Sequence, residues 1–334
     1  MSNNTTAVTL EDIQNFEGKY PKQLWGLFFS EMWERFCFYG MRGVLTYFMI
    51  THLILENGGH MSESQANLQY GATQAFVYAF TFIGGLFADK ILGFRKSLFW
   101  GGFLMIIGSA ILAFDPFPES NFFLGISFTV IGTGFFKPNI STMVGSLYKK
   151  NDTRRDAGFS LFYSGINIGA LLGGYACIAI GKGQLFASFI PAQYTWNVAF
   201  GLAGIVMTIS LITFVFTQKT LGPIGLSPFK AQDGDVNKVA EIDSFGTVTP
   251  EPGKVAVTVK SGKTWYEYAV YALTLVLIPV IMAMVAKTEY TLYKSIKAGV
   301  QYRYGMNEVL APSKNYTNRS YLQVQLKVGI LGTK

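Results

Sequence analysis

Long apolar runs, broken by short polar connections, organise the chain between residues 24 and 286. A helix needs about 20 mostly apolar residues to cross the hydrocarbon core of a bilayer. Seven runs meet that need: roughly 24–50, 68–88, 97–114, 122–147, 157–180, 194–217 and 265–286, the third being the shortest. Backbone polar groups in lipid must bond within their own segment, so each run is predicted to be an α-helix. The expected fold class is an all-α integral membrane protein. The expected organisation is a tail over 1–22, a six-helix bundle over 23–217, a linker over 218–263, one additional membrane helix within 264–290 and a polar tail over 291–334. The linker is rich in Pro, Gly, Asp and Lys and has no sustained periodicity.

Composition agrees with lipid as the solvent. Charged residues make up 14% of the chain, against roughly 25% in an ordinary soluble domain. The net charge of +7 would suit nucleic acid, but the basic residues sit in short loops between apolar runs, which excludes that partner. Their placement instead sets orientation. Lys19 and Lys22 precede the first run, Lys90, Arg95 and Lys96 follow the second, and Lys149, Lys150, Arg154 and Arg155 follow the fourth. Lys219, Lys230, Lys238, Lys254, Lys260 and Lys263 follow the sixth, whereas the opposite side holds only Lys182. A multi-pass protein of the cytoplasmic (inner) membrane with a cytoplasmic N-terminus is expected. Residues 1–22 are polar, with Glu11, Asp12 and Glu17, and read as a tail rather than a signal peptide. Cys37 and Cys177 lie singly inside apolar runs and His52 and His60 flank one loop, so no metal-ligand set is formed. No nucleophile–base pair or phosphate loop is present either, and an enzyme is not expected.

The first run carries Glu31, Glu34, Arg35 and Arg42. Charge inside a span is expensive and faces protein or water. Glu31 and Arg35 are four apart with the acid first, the favourable order for a helical ion pair. Glu31, Glu34/Arg35, Phe38/Tyr39 and Arg42 recur at helical spacing and form one stripe. That stripe reads either as an ion pair between helices or as a pathway for protons and substrate. Lys137, deep in the fourth run and followed by Pro138, reads as a contact for an anion or carboxylate at an opened helix. Between the second and third runs, Gly85, Asp89, Gly93, Arg95 and Lys96 form a turn in which glycines permit close helix approach and Asp89 can cap or pair across helices. Asn167 in the fifth run reads equally as packing or binding. Gly165, Gly169 and Gly173 around it favour tight helix packing.

Together these residues resemble the proton-coupled oligopeptide transporters. Glu31-Met-Trp-Glu34-Arg35-Phe36-Cys-Phe-Tyr39-Gly40 is similar to that family's ExxERFxxYG element, and Arg42 falls at its second arginine. Gly134-Phe-Phe-Lys137-Pro138-Asn139 is similar to its fourth-helix element, and Phe159 to Gly169 resembles its second signature. Trp196 to Gly201 and Leu221 to Pro228 resemble further family segments. The turn from Gly85 to Lys96 resembles the signature loop of the major facilitator superfamily and concerns fold and gating. The resemblance implies uptake of di- and tripeptides driven by inward proton flow, with the proton as coupling ion and no cofactor. It implies proton coupling by Glu31, Glu34 and Arg35, and peptide binding by Arg35, Tyr39, Arg42, Tyr78, Lys137 and Asn167. The additional helix resembles the first of two that bacterial members carry between their halves.

Three departures stand out. Phe38 stands where the family often has Tyr. Gly71 stands where some members have a proton-coupling His, leaving that task to carboxylates. The family's C-terminal half, with the acid that meets a peptide's amino group, is not recognisable in the sequence. The last 48 residues, 287–334, carry eight Lys or Arg from Lys287 to Lys334, on the side where the other loops hold almost none. A fragment or shifted reading frame lacking its partner half is therefore expected, the rival being two copies that pair. Other functions to separate are transport of nitrate or a drug on the same fold, and a non-transporting membrane scaffold.

Overall fold

The computed structural model describes residues 9–55, 58–114, 119–227, 241–242, 248–249 and 265–286. The residues of the polar tail and most of the linker lie outside these. Eight α-helices are described: α1 (Leu10–Gln14), α2 (Lys22–Thr51), α3 (Glu63–Phe87), α4 (Phe94–Phe114), α5 (Glu119–Ser146), α6 (Arg154–Gly181), α7 (Thr195–Thr217) and α8 (Trp265–Ala286). In the linker, Glu241 and Ile242 pair antiparallel with Thr249 and Val248, a two-residue ladder that the lack of periodicity did not announce. Five of the seven long helices are apolar enough to cross a membrane by composition; α2 and α5, which carry Glu31, Glu34, Arg35, Arg42 and Lys137, are not among them.

The helices extend past the apolar runs because polar turns are capped. Ser62 Oγ accepts the backbone N–H of Gln65 at 3.3 Å while Gln65 Oε1 accepts that of Ser62 at 3.0 Å. This reciprocal capping box starts α3 at Glu63, earlier than the hydropathy edge. α3 ends in a π-helical turn, Ala88–Leu92, and Gly93 then adopts φ +77°, a conformation that favours glycine. That single residue reverses the chain, so α4 begins at Phe94 and the third span has 21 residues. Pro138 was expected to open its helix, yet α5 runs unbroken through it. Pro138 removes the donor for the Gly134 carbonyl. Thr142 Oγ1 donates to the Pro138 carbonyl at 3.1 Å and Asn139 Nδ2 to that of Phe135 at 2.6 Å, so side chains bond the carbonyls flanking the gap.

α2 packs on α6 and α7, α4 on α5 and α7, and α3 on α5. Small residues make these seams, as expected where lipid gives helices no hydrophobic reason to associate. Gly169 and Gly173 of α6 lie against the carbonyls of Met32 and Phe36, and Gly84 of α3 against that of Gly134. A Cβ at Gly101 would stand 2.7 Å from the Gly132 carbonyl, and one at Gly108 2.6 Å from that of Gly125. Toward one end, Phe48 meets Phe122, Phe200 and Trp196 at centroid distances of 5.5, 5.3 and 6.3 Å. Cys37 and Cys177 are buried in the core.

Candidate functional site

The stripe on α2 becomes a buried charge cluster. Arg35 Nε lies 2.9 Å from Glu31 Oε1 and 2.5 Å from Glu34 Oε2, and the three side chains are 3%, 3% and 0% exposed. These are ion pairs by distance, but their angles do not make hydrogen bonds. Glu31 Oε2, both oxygens of Glu34, and Nε and Nη2 of Arg35 are buried without a hydrogen-bond partner among the described residues. A charge cluster buried in this way is costly in a low-dielectric interior. The guanidinium lies 5.2 Å from the centroid of Phe38, so the residue that departs from the family pattern still packs against the charge.

Around the cluster stand further cations in aromatic settings. Lys137 of α5 has its Nζ 5.1 Å from the Tyr78 ring centroid. Arg42 lies between two rings, 5.9 Å from Tyr39 and 5.3 Å from Tyr70, and its Nε donates to the Tyr70 hydroxyl. Cation–π contacts of this kind hold a cation while leaving its hydrogen-bond donors for another partner. Lys137, Arg42 and Tyr39 are half-buried, and Tyr78 is exposed. Helices α2, α3 and α5 thus bring together seven of the eight residues singled out for coupling and binding. Asn167 is exposed on α6, on a different face from Gly169, whose Cβ would stand 3.0 Å from Arg35 Cβ. Tyr70 was missed; its signal was its place eight residues before Tyr78 on the same α3 face.

In the α3–α4 turn, Asp89 is exposed, and the closely packed glycine is Gly84 rather than Gly85, which has Pro138 at 3.6 Å. Gly93 sits against the backbone of Leu226 and Ser227. The Arg95 side chain donates to the carbonyls of Ile224, at 2.6 Å, and Gly222, while its N–H donates to that of Gly225 at 2.9 Å. Arg95 therefore pins the chain leaving α7 beneath α4. Lys96 turns to α8 and pairs with Glu267 at 2.5 Å. An apolar cleft between α4 and α5, lined by Ile107, Ala110, Ile111, Phe114, Asn121 and Leu124, contains none of these charges.

Comparison with known proteins gives a consistent answer. The family model PTR2, described as the POT family, matches residues 95–294. An uncharacterized transporter of Bacillus subtilis is 38% identical over 201 residues, 60% of this chain and 38% of that protein. A di-/tripeptide transporter of Lactococcus lactis is 36% identical over 220 residues, 65% of this chain and 42% of that protein. The chain thus spans well under two thirds of the length of these relatives. A crystal structure of the peptide transporter POT, in mutant form and in complex with alafosfalin, superposes with a TM-score of 0.60 at 30% identity, covering 92% of this chain and 56% of that one. These 334 residues form a multi-pass membrane chain that belongs to the POT family.

Proposed function

We propose that this chain, in the setting of the full length of its relatives, forms the proton- and carboxylate-binding half of a di-/tripeptide:proton symporter. It lies in the cytoplasmic membrane with its N-terminus in the cytoplasm, and a second half supplies the opposite wall. The carrying observation is the buried Glu31–Glu34–Arg35 cluster on α2, with the further cations Arg42 of α2 and Lys137 of α5 held over aromatic rings. With Glu31, Glu34, Arg35 and Lys137 ionised their charges cancel. One added proton leaves a single positive charge on the cluster, about two helical turns from Arg42 on the same stripe of α2. Two unit charges 4 Å apart interact by about 4 kcal/mol at an effective dielectric of 20. A peptide carboxylate would therefore be bound more tightly after the proton arrives, and its departure would favour release of the proton. Differential binding of this kind is what coupling requires. Arg35, Arg42 and Lys137 are the carboxylate contacts, and Tyr39, Tyr78 and Asn167 hold the rest of the peptide.

Transport assays with the full-length protein in liposomes test this reading. Glu31→Gln is expected to abolish accumulation driven by an imposed proton gradient while leaving dipeptide exchange between loaded vesicles. Normal concentrative uptake by that variant would overturn the proton assignment. Amidating the C-terminus of the dipeptide is expected to weaken binding about 10- to 100-fold, the range of one charge-assisted contact. Equal binding of amidated and free peptides would overturn the carboxylate assignment.

A further inference from the structure

α8 follows the linker and has no counterpart in the six-helix pattern, yet it is seated on that bundle through a defined face. Its buried residues are Glu267, Val270, Ile278, Ile281 and Val285, each at most 5% exposed, with half-buried Thr274 between them. The steps of three and four residues make one helical stripe. The opposite face, with Leu273, Leu275, Val276 and Val280, is exposed and apolar, as suits lipid. Three contacts fix the seat. Near its start, Glu267 accepts from Lys96 of α4 at 2.5 Å. One turn on, Tyr271 meets Trp100 of α4 at a centroid distance of 5.5 Å. At its far end, buried Gln69 of α3 donates to the Val285 carbonyl at 3.0 Å. The contacts span the length of the helix and belong to α3 and α4.

The ion pair is lopsided. Glu267 is 2% exposed and its Oε2 is buried without a hydrogen bond, whereas the Lys96 side chain is 30% exposed. We propose that the Lys96–Glu267 pair latches α8 to this bundle, and that Lys96 is thereby committed to α8 rather than to a partner across the molecule. α8 then moves as part of the bundle. Removing the lysine strands a carboxylate against lipid and helix, the expensive way to break a buried pair. Removing the acid leaves a lysine that can reach water with its long stem. Loss of Lys96 must therefore loosen α8 more than loss of Glu267, an asymmetry that plain apolar docking does not predict. This inference does not depend on the transport reading.

A crosslinking rate measures the seat directly. Trp100→Cys and Tyr271→Cys are introduced with Cys37 and Cys177 replaced by Ala, and a protease site is placed in the linker. Membranes are treated with a short thiol-specific crosslinker and cleaved, and denaturing gels show whether the two fragments stay joined. Rapid joining is expected in the parent. Lys96→Met is expected to slow it at least about tenfold, and Glu267→Gln less than about threefold, because only the first leaves a buried charge unpaired. The exchanged pair, Lys96→Glu with Glu267→Lys, is expected to return the rate to within about threefold of the parent. If Lys96→Met does not accumulate in membranes, the exchanged pair against Lys96→Glu alone decides the matter. Slow joining in the parent, equal effects of the two single variants, or no rescue by exchange would each overturn the latch.

Discussion

Arg35→Met is the most informative single change to this chain. Methionine keeps an unbranched stem beside Phe38 and removes the guanidinium that faces two carboxylates at 2.9 and 2.5 Å. Glu31 and Glu34 are 3% and 0% exposed, so neither can recover hydration once the partner is gone. Removing one member of a buried pair costs about 3–5 kcal/mol, most of it the stranded charge. Lys137 offsets part of this, yet it holds its own place over Tyr78. For a body of this size each kcal/mol moves the melting temperature by about 2–4 °C, so a loss of about 6–20 °C is expected. Tryptophan fluorescence during heating in detergent measures it. Glu34→Gln, which leaves Arg35 paired with Glu31, should fall well short of that loss. The triple variant Glu31→Gln, Glu34→Gln, Arg35→Met should recover most of it, because no charge is left stranded. A loss under about 1 kcal/mol in the single variant, or a triple variant no more stable than the single one, would refute the claim that Arg35 compensates two buried carboxylates.

Three further outcomes follow from the packing. Gly169→Leu, which drives a side chain into the Met32 carbonyl and Arg35 Cβ, is expected to prevent accumulation of folded protein, whereas Gly174→Ala, with open space at that point, is expected to be neutral; size-exclusion profiles after detergent extraction separate the two. Gly93→Ala puts a Cβ at φ +77° against the Leu226–Ser227 backbone, so a loss of at least about 1–3 kcal/mol is expected in the same melting assay. On the polar side, Arg154 donates to Asp152 at 2.7 Å, to the carbonyls of Phe16 and Gly18 at 3.0 and 2.9 Å, and lies over the Phe16 ring, tying the segment after α1 to the start of α6. The hydrogen bonds from Arg154 hold the Asp152 carboxyl below its ordinary value of 3.8, so the Asp152–Arg154 pair is present at neutral pH and is lost only as pH falls through the lowered value, while the bonds from Arg154 to the Phe16 and Gly18 carbonyls do not titrate. A spin label at Glu17→Cys should be mobile at pH 7 in Arg154→Ala and immobile at pH 7 in the parent; mobility already rising at pH 6 in the parent would contradict the assignment.

The apolar runs were legible because lipid imposes one period and one length on every span. The ion pair of Glu31 and Arg35 was legible for a local reason, a separation of four residues on one helix. What escaped the sequence is non-local or carried by caps. Tyr70 reaches Arg42 from another helix, 28 positions away, and its spacing from Tyr78 marks a shared face of α3 but not Arg42 as its partner. Glu267 looks like a polar residue at the mouth of a span until Lys96, 171 positions distant, is placed beside it. Gly84 and Gly85 are interchangeable on paper, and only the register of α3 on α5 makes the first the point of close approach. Pro138 predicts a missing donor correctly but not that α5 continues through it.

The glycine seam and the charge cluster are two sides of one arrangement. Met32, Arg35 and Phe36 give α2 a face whose backbone touches Gly169 and Gly173, and a carbonyl against a glycine tolerates almost no shift along the helix axis. The same turn carries Glu31, Glu34 and Arg35. Fixing its register against α6 therefore fixes where the three charged groups meet Lys137 arriving from α5. A seam of larger side chains would hold the helices farther apart and allow rotamers to change in compensation. The guanidinium could then relax toward water, and the two carboxylates would no longer be held against one Arg35. The small residues of α6 hold α2 still enough for its charges to remain in an arrangement that they would otherwise leave.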